Sequence, residues 1–248
     1  DILPMYLVIL AMMPAMMALS RIHPYVALGA SVTLWFVAQL NLLDLSADPW
    51  RERPWFFNPF GWQLIFFTGF AFMAGWLPKP PVSRTLVAIC AAFLVLTMPL
   101  SSPHGVTALG WISPTAKQWA MDVYPSLDEF RTKTQHGILR YLHFLALAYL
   151  MWLAAGEGGR RLQPGGTGPL AAAWRWIVAR VTKVGQQSLA IFVISMALSQ
   201  IIGYVLSEGP GRTPFTEAMG NLTGIAILIG AAYFVAWFKG HPWRAQRA

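Results

Sequence analysis

The chain has 248 residues, 56% of them hydrophobic and only 11% charged, where a soluble domain carries about 25% charged residues. That balance excludes an ordinary soluble globular domain and requires lipid as the solvent for most of the fold. The net charge of +8 is therefore read by membrane side before any nucleic-acid partner is invoked, and the lone Cys90 excludes an internal disulfide.

In chain order, Asp1 leads straight into the apolar run ILPMYLVILAMMPAMMAL, with no basic leader of a signal peptide and no initiating Met. Residues are expected to be missing upstream. Seven stretches approach the roughly 20 apolar residues that cross a bilayer: 1–19, 24–43, 61–77, 83–100, 137–155, 185–206 and 218–238. Pro4, Pro14 and several glycines inside them are tolerated in membrane helices. No strand-period alternation points to a barrel. The expectation is an all-α, polytopic transmembrane bundle with short interfacial helices.

Charge sets the sides. With 156–184 placed in the cytoplasm and the sides alternating, that face holds eleven basic residues and one acid, Glu157. The basic residues are Arg21, Lys79, Arg84, Arg160, Arg161, Arg175, Arg180, Lys183, Lys239, Arg244 and Arg247. The opposite face holds six basic residues and nine acids, and only Arg140 lies inside a span. Basic residues concentrate on the cytoplasmic side of membrane proteins. The Asp1 end is thus expected outside and the C-terminus inside. This partition explains the net charge without nucleic acid.

The connections differ in kind. DPWRERPWFFNPFGWQL (48–64) enters the membrane through Asn58-Pro59 and is dense in aromatics. One reading is an aromatic belt at the interface. The other is a carbohydrate site, in which Trp62 stacks on a sugar ring while the Asn58 and Gln63 amides bond hydroxyls. The outer loop 101–136 carries Ser113-Pro114, a helix-start signature, and Ser126 three residues before Glu129, a capping-box spacing. A long structured loop is often functional; a plain interfacial helix pair is the alternative.

The segment QHGILRYLHFLALAYLMWLAA (135–155) is mostly hydrocarbon yet contains ionisable groups. At 3.6 residues per turn, His136, Arg140, His143 and Leu147 share one stripe, while Tyr141, Leu145 and Ala148 point elsewhere. His143 lies about 9 Å inside the segment at 1.5 Å per residue. Ionisable groups at such depth normally face protein or water. The expectation is an outward-opening polar cavity; the competing reading is that Arg140 reaches the interface and His143 bonds a neighbouring helix.

Beyond it, GEGGRRLQPGGTGPL (156–170) is a Gly/Pro-rich linker, and AAAWRWIVARVTK (171–183) a basic amphipathic helix. That helix suits an anionic membrane surface; alternatively Arg175, Arg180 and Lys183 meet the phosphates of a cytoplasmic donor. In GQQSLAIF (185–192), Gln186, Gln187 and Ser188 either cap the next helix or line the entrance for that donor. Apart from Asp1 at its very end, no span holds an Asp or Glu of the kind proton-coupled transporters use as relays. No Walker loop, HExxH, CxxC or GxSxG is present.

Four blocks, DILPMYLVIL, WFFNPFGWQLIFFTG, GILRYLHFLALAYL and GQQSLAIFVISMALSQ, resemble the OpgC family. Its members add succinyl groups to osmoregulated periplasmic glucans and fall in the type-three membrane acyltransferase superfamily. The resemblance runs from Asp1 to about Gln200, and the last span is generic. It implies a multi-pass protein of the bacterial inner membrane forming one acyltransferase domain over 1–248. An acyl group would pass from cytoplasmic acyl-CoA, here succinyl-CoA, to a glucose hydroxyl of a periplasmic glucan. No tightly bound cofactor or metal is implied. The family has about ten spans, more than the seven read here by length. The superfamily's first-span motif, a basic residue and a histidine, is not found, so the chain lacks N-terminal spans or diverges. On this view His143 and Arg140 support the chemistry, while Asn58, Trp62, Gln63 and His136 position the glucan. Arg175, Arg180, Lys183, Gln187 and Ser188 would meet the donor. The rival is a non-enzymatic carbohydrate or lipid transporter or binding protein, and a third reading is a membrane scaffold.

Overall fold

The computed structural model describes residues 2–240 except 45, 49, 164 and 210, and for 47, 48 and 51–54 describes the backbone alone. Asp1, Arg244 and Arg247, which entered the charge partition, lie outside the described residues. Among the described residues the fold is helical apart from one short hairpin. It divides into two compact units, Asp1–Ala154 and Ala155–Ala248.

The first unit opens with α1 (Ile2–Ile22) and α2 (Pro24–Gln39). A two-stranded hairpin, β1 (Ser46–Asp48) and β2 (Arg51–Pro54), leads to α3 (Pro59–Met73). Then come α4 (Arg84–Thr97), α5 (Pro103–Leu109), α6 (Pro114–Val123) and α7 (Ile138–Ala155). Prolines at N1 recur because that position needs no N–H bond. Asn58 caps α3 by accepting from the Phe60 amide at 2.9 Å, and Ser113 caps α6 through the Ala116 amide at 3.3 Å, as the Ser-Pro signature predicts. The capping box expected at Ser126 does not form. Residues 125–127 and 129–131 are separate 3₁₀ turns, and the Ser126 hydroxyl donates back to the Val123 carbonyl at 2.7 Å.

Among the described residues seven apolar helices coincide with the seven expected spans, but four are long and apolar enough to cross a bilayer: α1, α7, α9 (Ser188–Glu208) and α10 (Pro214–Lys239). Helices α2, α3 and α4 have 16, 15 and 14 residues. At 1.5 Å per residue they reach roughly 21–24 Å, short of the ~30 Å of hydrocarbon. Local chemistry ends them. Ser83 caps the start of α4, and left-handed Gly75 (φ +73°) follows the end of α3. Large apolar side chains face outward along these helices, among them Leu7, Val95, Leu96, Ile201 and Phe234. Water would make that exposure costly; hydrocarbon does not.

Helices α2 and α3 pack closely because fully buried Ala27 and Ala38 on α2 bring the backbones together. A reciprocal polar pair joins them. The Ser31 hydroxyl donates to Gln63 Oε1 at 2.6 Å, and Gln63 Nε2 donates to the Ser31 carbonyl at 2.8 Å. Met5, Ile9 and Met16 of α1 complete the core against Phe67.

The second unit holds a 3₁₀ segment (Glu157–Leu162) with left-handed Gly158 and Gly159, then α8 (Pro169–Gln186), α9 and α10. Helix α8 is the basic amphipathic element, with Trp174 and Trp176 exposed. The cap foreseen at Gln187 is absent: its side chain makes no capping bond, and Oε1 instead accepts from Lys239 Nζ at 2.8 Å.

Candidate functional site

Between α6 and α7 the chain runs through residues 131–136 as a strap that leaves the 3₁₀ turn at Arg131 and closes in a hydrogen-bonded turn at 133–136. All six of its carbonyls are bound, each by a different donor. Arg131 O accepts from Arg140 Nη2 at 3.1 Å, Thr132 O from the Gly137 amide at 3.0 Å, and Lys133 O from Trp62 Nε1 at 2.8 Å. Thr134 O accepts from the Asn58 amide at 2.9 Å, Gln135 O from Gln39 Nε2 at 2.6 Å, and His136 O from Trp35 Nε1 at 3.0 Å. Each bond contributes about 1 kcal/mol. Together they tie the strap to α2, α3 and α7. Two glycines let it approach. A Cβ on Gly61 would overlap the Gln135 carbonyl, and one on Gly137 the Phe130 carbonyl.

The strap fixes His136 in a left-handed conformation (φ 56°) that non-glycine residues adopt uncommonly. Its ring is 1% exposed and packs on Trp62, with centroids 4.4 Å apart. Neither ring nitrogen has a partner among the described residues. Burial first, and then the Arg140 guanidinium, push the imidazole down to about 4. It is neutral at ordinary pH, with one donor and one acceptor uncommitted. A strained backbone and a buried unpaired polar ring are features that concentrate at functional sites.

His136 lines a cavity of about 790 Å³ with Arg140, His143 and Leu147, so the four-residue stripe faces one space. Arg131, Trp62 and Thr97 also line it. The rest is largely apolar, from Met5 and Ile9 of α1, Phe66 and Phe70 of α3, and Phe144 of α7. His143 is oriented by α4. Its Nδ1 lies 3.0 Å from Thr97 Oγ1, and that hydroxyl donates to the Phe93 carbonyl at 2.7 Å. With its proton committed there, Thr97 Oγ1 accepts from His143 Nδ1–H. In the neutral imidazole this pairing leaves the lone pair on Nε2, the tautomer a general base requires.

Arg140 spends Nη2 on the strap, while its buried Nε has no partner among the described residues. Arg131 binds exposed Asp128 through Nη2 at 2.7 Å and lies 3.4 Å from the Tyr124 ring centroid; its Nε is likewise buried and unpaired. Among the described residues no Asp or Glu lines the cavity.

Asn58 and Gln63 do not line this cavity. Asn58 caps α3 and donates through Nδ2 to the Leu43 carbonyl at 3.0 Å and to Asp44 Oδ1 at 3.2 Å. Gln63 is fully buried in its pair with Ser31. Their side-chain amides hold helix ends and the α2–α3 pair, while the Asn58 backbone N–H binds the strap. The residues expected to meet a donor belong to the second unit and do not converge on one point. Arg175 Nη1 binds the Gly166 carbonyl at 2.9 Å, Arg180 lies 4.2 Å over the Trp176 ring, and Lys183 Nζ is 5.8 Å from the Tyr233 ring centroid. Gln187 holds Lys239, and Ser188 is the first residue of α9.

Sequence reading missed Arg131, Thr97, Trp35 and Gln39. A signal existed for part of this: Ser31, Trp35 and Gln39 recur every four residues in an otherwise oily helix, one face of α2. Nothing local marked Thr97 or Arg131.

The architecture defines a helical membrane protein whose cavity brings two histidines and two arginines to an apolar space. The family model described as OpgC protein matches residues 1–240, and the chain belongs to that family. It is a family of membrane acyltransferases related to osmoregulated periplasmic glucans. No curated protein and no solved structure matches the chain.

Proposed function

We propose that the protein is an inner-membrane O-acyltransferase that moves a succinyl group from cytoplasmic succinyl-CoA to a glucose hydroxyl of a periplasmic glucan. The observation that carries this reading is His143, whose Nδ1 is held by Thr97 so that Nε2 is free to accept a proton. In the transfer the sugar oxygen bonds to the thioester carbon, its proton passes to His143 Nε2, and the C–S bond breaks to release the CoA thiolate, which takes up a proton. Arg140 stands in the same cavity as a cation for the oxyanion or for the succinyl carboxylate. Trp62 offers a flat face to the acceptor sugar, with His136 packed against its ring. The excess of basic residues assigned to the cytoplasmic side favours a periplasmic Asp1 end and a cytoplasmic C-terminus. On the cytoplasmic side, Arg175, Arg180 and Lys183 of α8 are the cations for anionic lipid or for the donor's phosphates.

The test is single replacement of Arg140 and His143 by Ala in the intact protein, with mass spectrometry of periplasmic glucans. Loss of the succinyl mass in both is expected. Wild-type succinylation in either variant excludes an essential role for that residue, and an unchanged glucan profile when the protein is deleted overturns the reading.

A further inference from the structure

We propose that the furrow between α9 and α10 binds a phospholipid whose headgroup carries a phosphate and a primary ammonium, as phosphatidylethanolamine does. The furrow is a cavity of about 440 Å³ within the second unit. Two stripes wall it: Leu198, Ile202 and Leu206 recur along one face of α9, and Glu217, Asn221 and Ile225 along one face of α10. Beneath it the helices pack tightly, since a Cβ on Gly220 would lie 3.1 Å from Ile202 Cγ2. Both helices are long and apolar enough to cross a bilayer, so lipid is the solvent their faces suit.

The polar end of the furrow is at the α9–α10 turn. Arg212 folds its guanidinium back from that turn over α9, where Nη2 would lie 3.6 Å from a Cβ on Gly203. Glu217 stands in the first turn of α10 and lines the same cavity, yet it forms no ion pair with Arg212 or with any other described residue. The Asn221 side chain, roughly 10 Å along α10 from Pro214 at 1.5 Å per residue, also has no hydrogen bond among the described residues. A cation and an anion that share one cavity without meeting suit a zwitterion that carries the complementary charges a few bonds apart. A phosphate takes the guanidinium fork. A primary ammonium has three N–H donors, for which the Glu217 carboxylate and the Asn221 carbonyl oxygen are acceptors. A choline headgroup has no N–H to give, and a glycerol headgroup brings its negative charge to Glu217 with no ammonium to offset it. The apolar stripes hold an acyl chain by close packing. The site uses no residue assigned to acyl transfer and stands whether or not that reading holds.

The experiment is native mass spectrometry of the intact protein in detergent, titrated with phosphatidylethanolamine, phosphatidylcholine and phosphatidylglycerol of matched acyl chains. The wild type is expected to bind the ethanolamine lipid roughly tenfold tighter than either of the others. Glu217→Gln should erase most of that preference and leave phosphatidylcholine binding unchanged, while Arg212→Gln should weaken all three lipids. Where the Glu217 variant does not fold, Asn221→Leu decides, because it removes the second acceptor for the ammonium and should reduce the same preference. Equal wild-type binding of the three lipids, or an undiminished preference in the variant that decides, overturns the proposal. So does soluble phosphoethanolamine bound as tightly as the lipid, since the apolar stripes would then contribute nothing. A dimer that excludes lipid and that Arg212→Gln dissociates would give the furrow to a second copy of the chain and overturn it as well.

Discussion

Trp62 touches His136 in two ways: its ring packs on the imidazole at 4.4 Å, and its Nε1–H holds the Lys133 carbonyl three residues upstream. Trp62→Phe keeps an aromatic face and deletes the bond. The expected result is hydrogen exchange faster by roughly tenfold at the Gly137 amide, as for loss of about 1.4 kcal/mol of local protection. Unchanged exchange there would show that the other five ties suffice.

Gly61→Ala sets a methyl group against the Gln135 carbonyl, with rigid backbone on both sides. A loss of roughly 1–3 kcal/mol is expected, seen as a lower Tm in detergent. Gly29→Ala is the comparison. Nothing lies within 4 Å of a Cβ there, so the change should be neutral or slightly stabilising.

Thr97→Val removes the acceptor that fixes the His143 tautomer. The transfer rate should fall roughly tenfold or more, since general-base catalysis contributes about a hundredfold or above. Thr97→Ser keeps the hydroxyl and should restore most of the rate. Equal rates in both variants would remove Thr97 from the mechanism.

The buried His136 ring predicts an acid-side loss of stability. Its pKa is lowered from 6.5 to about 4 on folding. Between those values the unfolded chain binds the proton and the folded chain does not. Stability therefore falls as pH drops from about 6.5 to about 4, and this group is without effect above 6.5. His136→Asn, which also tolerates positive φ, should flatten that part of a Tm-against-pH curve. A curve identical to wild type would place the titration elsewhere.

Much of this site was legible. The spacing of Arg140, His143 and Leu147 needs only helical periodicity; His136, ahead of α7 and left-handed, reaches the same cavity through the strap instead. In sequence Asn58 belongs either to an aromatic belt or to a sugar-binding site; its cap on α3 and its contacts with Leu43 and Asp44 commit its amide to the fold. The strap was beyond reach because its donors come from three helices far apart in sequence, and main-chain acceptors carry no side-chain signature. Helix lengths were overestimated for α2, α3 and α4 because hydropathy continues past the residues where caps and Gly75 stop the hydrogen-bond ladder.

With every carbonyl from Arg131 to His136 already engaged and the chain turned back on itself, the strap is poorly disposed to a passing peptide or the substrate groove of an endoprotease, both of which recognise extended chain by pairing with its backbone. This stretch of connecting chain is consequently shielded from digestion and from intermolecular strand pairing, although no ladder of its own protects it.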